Sequence, residues 1–279
     1  MKQKTRTEYA RRLEPVLQWL AEHPAEMPDL YQLADLACLS PYHFHRVYRA
    51  MMGETVTATM QRIRMHHAAV KLVRGEEPLD QVAQQAGYDS TAAFNRAFGA
   101  RFGIPPGRYR EGHSGTFAIQ QEENMYPVTI EDFPGVTLGA LEHKGDYHKI
   151  GFVFNHLYML AYSRNLITDD SSGIGIYYDD PGAVDTDLLR SVAGIRVAPD
   201  AVLEVPLKRV EIPAMRCAVL EYTGPYNELE KAYSWLFGQW LPDSGCLPYD
   251  FPVFERYMND PKTTPAAQLI TRIYLPVQP

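Results

Sequence analysis

Apolar positions in the first half of the chain recur with the period of short amphipathic helices, and they do so twice. LYQLADLACLSPYHFHRVYRAMMG at 30–53 resembles LDQVAQQAGYDSTAAFNRAFGARFG at 79–103, with one extra residue, Asp89, in the second copy. Each copy opens with apolar side chains at i, i+3, i+4 and i+7, the spacing of one face of an α-helix. These are Leu30, Leu33, Ala34 and Ala37 in the first copy and Leu79, Val82, Ala83 and Ala86 in the second. The repeat predicts two helical hairpins.

A tight turn and a second helix follow in each copy. The turn contains Cys38 in the first copy and Gly87 in the second, and Ser40 or Ser90 then precedes the helix as an N-cap. On a helical wheel, each second helix has one apolar and one polar face. The apolar side chains are Phe44, Val47, Tyr48 and Met51 in the first copy and Phe94, Ala97 and Phe98 in the second. One face of each second helix is therefore expected to pack inward.

An arginine occupies the same outward position of both second helices, Arg46 in the first copy and Arg96 in the second. An α-helix fits the DNA major groove, and an arginine side chain can form two hydrogen bonds to guanine. The alternative is two helical hairpins whose polar faces are only solvated. The duplication disfavours this alternative, because both copies retain the arginine. The pattern predicts two helix-turn-helix units, each with a recognition helix.

Residues 8–110 resemble the DNA-binding domain of the AraC/XylS family of transcription regulators. The resemblance rests on SPYHFHRVYRAMMG, on TATMQRIRMHHAAVKLVRG ending at Gly75, and on AGYDSTAAFNRAFGARFGIPPGRYR with its G-x-x-P-x-x-Y-R pattern. It implies an all-α domain at residues 1–111, with two helix-turn-helix units joined by a long helix. The base-contacting positions that it implies are Tyr42, His45 and Arg46 in the first unit and Thr91, Asn95 and Arg96 in the second. Arg49 lies on the same outward face and is a further candidate for DNA binding.

Two positions depart from the family pattern. Cys38 stands where a glycine or small residue is common, and His45 stands where a glutamine is frequent, so the preferred bases are not carried over. Four basic side chains of the connecting helix are either phosphate contacts or ordinary solvated charges. They are Arg62, Arg64, Lys71 and Arg74. The adjacent His66 and His67 point in different directions from a helix, which favours packing or polar surface over a metal site.

Charge is distributed unevenly along the chain, whose formal net charge is -7. Residues 1–112 hold 15 Lys and Arg against 12 Asp and Glu, whereas residues 113–279 hold 12 against 22. Affinity for DNA depends on neutralising phosphates with Lys and Arg. The basic half of the chain is therefore where a DNA site is expected.

Length and composition limit the class of protein. A chain of 279 residues that is 46% apolar favours two domains. No apolar run has transmembrane length and the N-terminal segment lacks the apolar core of a signal peptide, so we expect a cytoplasmic protein with no membrane partner. Cys38, Cys217 and Cys246 are odd in number and far apart. Neither a disulfide framework nor a metal site is expected, and no cofactor.

A second repeat occupies the other half of the chain. The polar stretch EGHSGTFAIQQEEN predicts a linker at 112–124, followed by a domain at 125–279. Within that domain FPGVTLGALEHKGDYHKI aligns with IPAMRCAVLEYTGPYNEL, and GIGIYYDDP pairs with VFERYMNDP further on. The patterns predict an α+β domain of two pseudo-symmetric repeats with an antiparallel sheet, and a cleft where the repeats meet.

Glu255 breaks the second repeat. Ile174, Ile176 and Tyr178 alternate onto one strand face, and their expected counterparts are Val253, Glu255 and Tyr257. Glu255 would thus replace Ile176. Because burial of an unpaired charge is costly, Glu255 either faces a ligand pocket, turns to solvent or pairs with a nearby cation. The aromatic side chains that could form pocket walls for a flat or cationic ligand, or else ordinary core, are Tyr226, Tyr257, Trp235 and Trp240.

The segment FERYMNDPKTTPAAQLITRIYLPV resembles the gyrase-inhibitor-like effector-binding domain. This domain is found fused to AraC-type domains, in the order of the Rob-like regulators, and the resemblance implies that Glu255 faces a ligand pocket. Together the two resemblances imply a bacterial transcription regulator without catalytic residues. Its expected partners are double-stranded promoter DNA, RNA polymerase and a small aromatic or cationic effector. The alternatives are that the C-terminal domain is a small hydrolase, with Glu255 as general base, or a protein-docking module.

Overall fold

The computed structural model describes residues 3–24, 26, 28–75, 77–112, 126–168 and 171–278. The side chains of Gln3 and Tyr42 are outside this description. An all-helical N-terminal part is followed by an α+β C-terminal part. The predicted linker, apart from its first residue, and the predicted domain start at 125 lie outside the described residues. Within the described ranges, a helix with the length and apolarity needed to span a bilayer is not found.

The N-terminal part consists of helices joined by short connections. Their bounds are α1 Gln3–Glu22, α2 Leu30–Leu36, α3 Pro41–Met52, α4 Val56–Arg74, α5 Leu79–Gln85, α6 Thr91–Phe102 and α7 Pro106–Glu111. Helices α2 and α3 form the first predicted helix-turn-helix unit, and α5 and α6 form the second. Helix α4 is the predicted connecting helix. The recognition helices are α3 and α6.

The two recognition helices begin and end with the same chemistry. Ser40 and Ser90 each accept a hydrogen bond from the backbone N–H three residues further on, which satisfies a donor that the first turn leaves free. Gly53 and Gly103 end the helices with φ of 74° and 84°, a left-handed conformation that glycine adopts without steric cost. The sequence therefore determines both boundaries locally.

The turns before the recognition helices differ in one respect. Gly87 has φ of 82°, and a Cβ atom there would lie 2.7 Å from Nη1 of Arg64. Cys38 has φ of 50° although it carries a side chain, which is uncommon outside glycine. Its side chain is exposed. The first turn can hold a cysteine because it is open, whereas the second requires glycine because a guanidinium covers it.

The predicted inward faces of the recognition helices form two apolar cores. Phe44 and Tyr48 of α3 are fully buried in the first core, together with side chains of α1 and α2. Phe94 and Phe98 of α6 are fully buried in the second core, together with side chains of α4, α5 and α7. Full burial of one such ring stabilises the fold by about 1.5–3 kcal/mol.

The C-terminal part is built on one eight-stranded antiparallel sheet in the order β1-β6-β8-β7-β3-β4-β2-β5. The strands are β1 Val128–Phe133, β2 Val136–Lys144, β3 Gly173–Tyr177, β4 Arg190–Arg196, β5 Lys208–Ile212, β6 Met215–Thr223, β7 Val253–Tyr257 and β8 Ile270–Pro276. Helix α8 is Ile150–Ser163, α9 is Leu229–Trp235, and α10 is Leu241–Ser244. A π-helical turn, Leu236–Trp240, joins α9 to α10.

The sheet has the predicted two-repeat organisation. Strands β3 and β4 correspond to β7 and β8 at an offset of 80 residues. Strand β1 pairs with β6 and β5 pairs with β2, so each repeat contributes its first strand to the other. Strands β3 and β7 pair at the centre of the sheet. The exchange of first strands and the central pair together join the two repeats into one domain.

The expected counterpart of Glu255 is wrong by one residue. Glu255 pairs with Gly175 across the central strands, and the offset of 80 makes Gly175, not Ile176, its equivalent. Because side chains alternate along a strand, this shift moves the position to the opposite face of the sheet. Ile176 is buried in the apolar core on one face. Glu255 lies on the other face, between the helices, opposite a residue that has no side chain.

Candidate DNA-binding surface and ligand cleft

The predicted DNA-contacting side chains of both recognition helices are accessible where they are described. On α3 the exposed residues are His45, Arg46 and Arg49, and on α6 they are Asn95 and Arg96. Thr91, the first residue of α6, is partly exposed. The Tyr42 side chain falls outside the described residues. The accessibility of both arginines satisfies a requirement for base contact, and the base-contact roles themselves stay predictions.

Two of the four candidate phosphate contacts on α4 have internal partners instead. Arg62 forms an ion pair with Glu54, with 2.6 Å between Nη2 and Oε1, and its side chain is only 14% exposed. Arg64 is buried and donates from Nε to the carbonyl oxygen of Pro24 at 2.9 Å. Burial lowers the pKa of Arg64. Both side chains therefore hold the domain together, while Lys71 forms an ion pair with a glutamate at the surface.

A cleft of about 1580 Å³ lies between the two domains. Strands β3 and β7 form its floor, and α8 and α9 supply walls. Its roof comes from the N-terminal domain. Floor and wall side chains include Tyr177, Glu255, Tyr257, Phe154, Tyr158, Tyr233 and Phe237, and roof side chains include Met51, Arg62, His66 and Arg101. A molecule in this cleft would touch both domains at once.

Glu255 is the buried carboxylate of the cleft, with 4% of its surface exposed. Tyr233 donates from Oη to Oε1 at 2.8 Å, and Tyr257 donates to Oε2 at 2.8 Å. The hydroxyl of Tyr177 lies 2.7 Å from that of Tyr257. Among the described residues, Glu255 takes part in no ion pair within 4 Å. This geometry excludes the possibility that Glu255 turns to solvent. Within the described residues it also excludes pairing of Glu255 with a nearby cation.

Burial controls the ionisation of this group. It raises the pKa of Glu255 to about 7, because the charged form is desolvated, and the tyrosine hydrogen bonds offset only part of that effect. Burial and the nearby Glu255 charge raise the pKa values of Tyr233 and Tyr257 well above 10, so both remain hydroxyl donors. The cleft therefore contains a carboxyl group that changes charge near neutral pH.

Two glycines of β3 make room for the tyrosines. A Cβ atom on Gly175 would lie 2.9 Å from the Tyr257 hydroxyl oxygen and 2.9 Å from the Tyr177 ring. A Cβ atom on Gly173 would lie 2.7 Å from the hydroxyl oxygen of Tyr158. The glycines lie opposite β7 in the pairing register. Their lack of side chains lets aromatic rings close over the central strands.

The aromatic walls differ in part from those predicted. Tyr226 and Tyr257 line the cleft as expected, with ring centroids 5.3 Å apart. Trp235 and Trp240 are not among its lining residues. Trp235 packs instead between α9 and the sheet, 5.5 Å from the Tyr126 ring. A helical stripe shows that residues share a face, but it does not show whether that face meets the sheet or the cleft.

Sequence reasoning missed several wall residues that the internal repeat could have indicated. Tyr147 and Tyr177 are the counterparts of Tyr226 and Tyr257, and their rings form the equivalent contact at 4.9 Å. Tyr233 follows Tyr226 by seven residues on the same helical side. The signal in the sequence was that tyrosines occupy equivalent positions in the two repeats. Recognition of these equivalent tyrosines required the correct offset of 80 for the central strands.

The roof of the cleft brings histidines of both domains together. The rings of His66 on α4 and His148 are 5.7 Å apart, and the ring of His67 lies 6.4 Å from Phe152. Burial lowers the pKa of His66 to about 3, so it is uncharged at neutral pH. The described residues contain no group of three or more His, Cys, Asp or Glu side chains arranged to hold a metal ion. The predicted packing role of His66 and His67 agrees with this geometry.

The structure combines a duplicated helix-turn-helix domain with a second domain that has an aromatic cleft and a buried carboxylate. These features define a class of two-domain proteins in which helix-turn-helix units cover the cleft of a domain of the ligand-binding type. The chain belongs to the family of the GyrI-like small molecule binding domain, matched over residues 126–278. A helix-turn-helix domain is matched over residues 33–112. Both matches confirm the resemblances found in the sequence.

Curated relatives and a solved structure extend this comparison. The RCS-specific HTH-type transcriptional activator RclR of Escherichia coli (strain K12) is 34% identical over 100 residues, 36% of this chain and 35% of that protein. The Right origin-binding protein of the same strain is 29% identical over 160 residues, 52% of this chain and 55% of that protein. The chain thus spans about half or less of the length of these relatives. The EcmrR–DNA complex solved by cryo-electron microscopy has a similar fold, with a TM-score of 0.51, 16% identity, and coverage of 88% of this chain and 84% of that chain.

Proposed function

We propose that the protein is a sequence-specific, DNA-binding transcription regulator. The observation that carries this proposal is the arginine exposed at the same position of two recognition helices with identical caps, Arg46 and Arg96. Arginine is the side chain best suited to two hydrogen bonds with guanine, and a rigid connecting helix can present two such helices to successive major grooves, about 34 Å apart. RNA polymerase belongs to the proposal as the partner of a promoter-bound regulator.

Substitution of Arg96 tests the DNA proposal. In a binding assay on a site selected from a random DNA pool, Arg96→Ala is expected to weaken binding by about 1 to 3 kcal/mol, because a bidentate base contact is lost. Affinity for scrambled DNA should fall much less. Arg11→Ala, which removes an exposed arginine paired with Glu8 on α1, is the matched control. Equal losses on selected and scrambled DNA would contradict a role of Arg96 in base readout.

We propose further that the cleft binds a small aromatic cation. Glu255 supplies a buried negative charge, and the aromatic rings around it offer faces that attract cations. A ligand cation would provide the counter-charge that the described residues do not supply to Glu255. This assigns Glu255, Tyr226 and Tyr257 to effector binding, and adds Tyr233 and Tyr177.

Ligand affinity should depend on pH in a defined direction. A quaternary ammonium ion such as benzyltriethylammonium keeps its charge, so its binding follows the ionisation of Glu255, whose pKa is raised to about 7. Affinity is therefore expected to rise about tenfold between pH 6 and pH 8 as the carboxyl group loses its proton. Titration calorimetry at several pH values measures this. A flat profile, or the same slope in Glu255→Gln, would count against Glu255 as the counter-charge.

Hydrolysis is the alternative that Glu255 itself raises, because a carboxyl group with a pKa of about 7 can act as a general base. We infer ligand binding instead, since both carboxylate oxygens already accept hydrogen bonds from Tyr233 and Tyr257. The assay is release of 4-nitrophenol from 4-nitrophenyl acetate. A rate above buffer that disappears in Glu255→Gln would favour the hydrolase.

A further inference from the structure

Two connections in the C-terminal domain share one conformation but have different surroundings. Residues 178–189 join β3 to β4, and residues 258–269 join β7 to β8, at the repeat offset of 80. Each contains one 3₁₀ turn, Thr186–Leu188 in the first and Ala266–Gln268 in the second. The first connection is mostly exposed, whereas the second packs against the N-terminal domain. We call them the free loop and the docked loop.

The two loops differ in sequence at nine of their twelve positions, and the differences at Lys262 and Ala266 fall where the docked loop meets the other domain. Four of the nine differing pairs, free loop first, are Gly182/Lys262, Asp185/Pro265, Thr186/Ala266 and Asp187/Ala267. The docked loop thus has one carboxylate where the free loop has four, and it has a lysine, a proline and two alanines at these four positions. Since both loops have the same succession of turns, Lys262 and Ala266 are not required for the shape of the loop.

The docked loop holds the C-terminal end of the first recognition helix. Lys262 donates from Nζ to the carbonyl oxygen of Met52, the last residue of α3, at 2.6 Å. Carbonyl groups at a helix C-terminus lack partners within the helix and carry partial negative charge, so a lysine there is favourable. Lys262 is partly buried, and this burial lowers its pKa. A desolvated bond of this kind is directional and resists displacement.

The same loop holds the C-terminal end of the second recognition helix. Ala266 and Leu269 are buried in the apolar core of the second helix-turn-helix unit, which also contains Phe98 and Phe102 of α6. Arg101, in the last turn of α6, has its Nη2 atom 3.5 Å from the carbonyl oxygen of Pro261. One loop therefore contacts the ends of both recognition helices.

The docked loop is also continuous with the floor of the cleft. Tyr257, whose hydroxyl binds Glu255, immediately precedes Met258, the first residue of the loop. A ligand cation beside Glu255 would alter the hydrogen bonds of Tyr257 and the end of β7. Packed elements transmit such shifts as rigid bodies, because their cores do not deform continuously.

We propose that the docked loop couples the cleft to DNA binding by setting the relative orientation of the two recognition helices. The inference rests on the proposed function, since it needs both a ligand at Glu255 and DNA on α3 and α6. A ligand changes DNA affinity only if it favours one arrangement of the helices over another. The docked loop provides this preference for one arrangement, because a single rigid segment contacts the ends of both recognition helices.

The test measures DNA affinity of the full chain with and without saturating benzyltriethylammonium. Two DNA molecules are compared. One is a site selected from a random pool, and the other is the same site with the half bound by α6 scrambled. The wild-type chain is expected to change its affinity for the complete site at least fivefold on ligand addition, within the usual range of allosteric coupling, and to change less on the scrambled version. Two variants disturb the docked loop: Lys262→Met removes the donor to Met52 and keeps the side-chain stem, and Ala266→Thr restores the free-loop residue.

Both variants are expected to reduce the ligand-induced change to less than twofold at benzyltriethylammonium concentrations that saturate each variant, which calorimetry determines because Lys262 and Ala266 also line the cleft. The control is Ala183→Thr, the same substitution as Ala266→Thr made on the exposed free loop, which should keep the full change. Thermal unfolding checks each variant, and Lys262→Met keeps the test valid if Ala266→Thr does not fold. Retention of the full change in Lys262→Met at saturating benzyltriethylammonium would overturn the coupling role and leave the proposed function standing. A wild-type chain that binds no selected DNA or no benzyltriethylammonium would instead refute the proposed function.

Discussion

Replacement of Glu255 by glutamine is expected to weaken binding of benzyltriethylammonium by about 2 to 5 kcal/mol, because a ligand cation would be left in a desolvated site without its counter-charge. The substitution keeps the shape of the side chain, and the amide oxygen can still accept a hydrogen bond from one of Tyr233 and Tyr257, while the amide NH2 group can donate to the hydroxyl oxygen of the other. The loss should therefore come from charge and not from collapse of the cleft. Titration calorimetry at pH 8, where Glu255 is mostly ionised, gives the largest difference.

Two controls separate this effect from general electrostatics. Glu142→Gln removes one negative charge from an exposed position of the same domain and should change affinity little, since surface pairs contribute at most about 1 kcal/mol. A neutral carbon analogue of the ligand should bind Glu255→Gln at least as well as wild type. Equal loss for the charged and the neutral ligand would show that Glu255 acts through packing alone.

Replacement of Phe98 by alanine is expected to lower the free energy of unfolding by about 3 to 5 kcal/mol. The ring is fully buried between those of Phe102, at 4.3 Å, and Tyr109, at 5.1 Å, so its removal leaves a cavity that the neighbouring rings cannot fill. Urea denaturation followed by helical circular dichroism measures the loss. Binding to the half-site read by α6 should fall with it.

The matched control at this position is Phe98→Leu, which retains most of the apolar volume and should cost clearly less than the alanine substitution. A cost below about 1 kcal/mol for Phe98→Ala would mean that the second core collapses onto the space. In that case the stability of α6 would rest on its caps and on α7 instead.

Much of the N-terminal domain could be predicted because its determinants are local. Ser40, Ser90, Gly53 and Gly103 mark the ends of the recognition helices, and the 3.6-residue period of apolar side chains marks their buried faces. The internal interaction partners of Arg62 and Arg64 could not be predicted in the same way. Their partners, Glu54 and the carbonyl oxygen of Pro24, are 8 and 40 residues away in sequence, and helical periodicity carries no information on such pairs.

In the C-terminal domain, the repeat predicted the strands and the cleft, but not the details of the cleft. The sequence singled out Glu255 as the residue that breaks the pattern, yet assigned it to the wrong face. The pairing of Glu255 with Gly175 became visible only in the sheet register, because a shift of one residue changes the face without changing the pattern of strand and turn.

The sequence by itself determined which segments form helices and strands, that both halves are duplicated, and which side chains stand out of the repeats. These properties follow from short-range sterics, capping and periodicity. The tertiary structure alone decided that tyrosines of both repeats surround Glu255, that Trp235 faces the core, and that the N-terminal domain covers the cleft. The physical reason is that these features depend on the packing of elements distant in the chain, where the burial of one surface against another selects the neighbours.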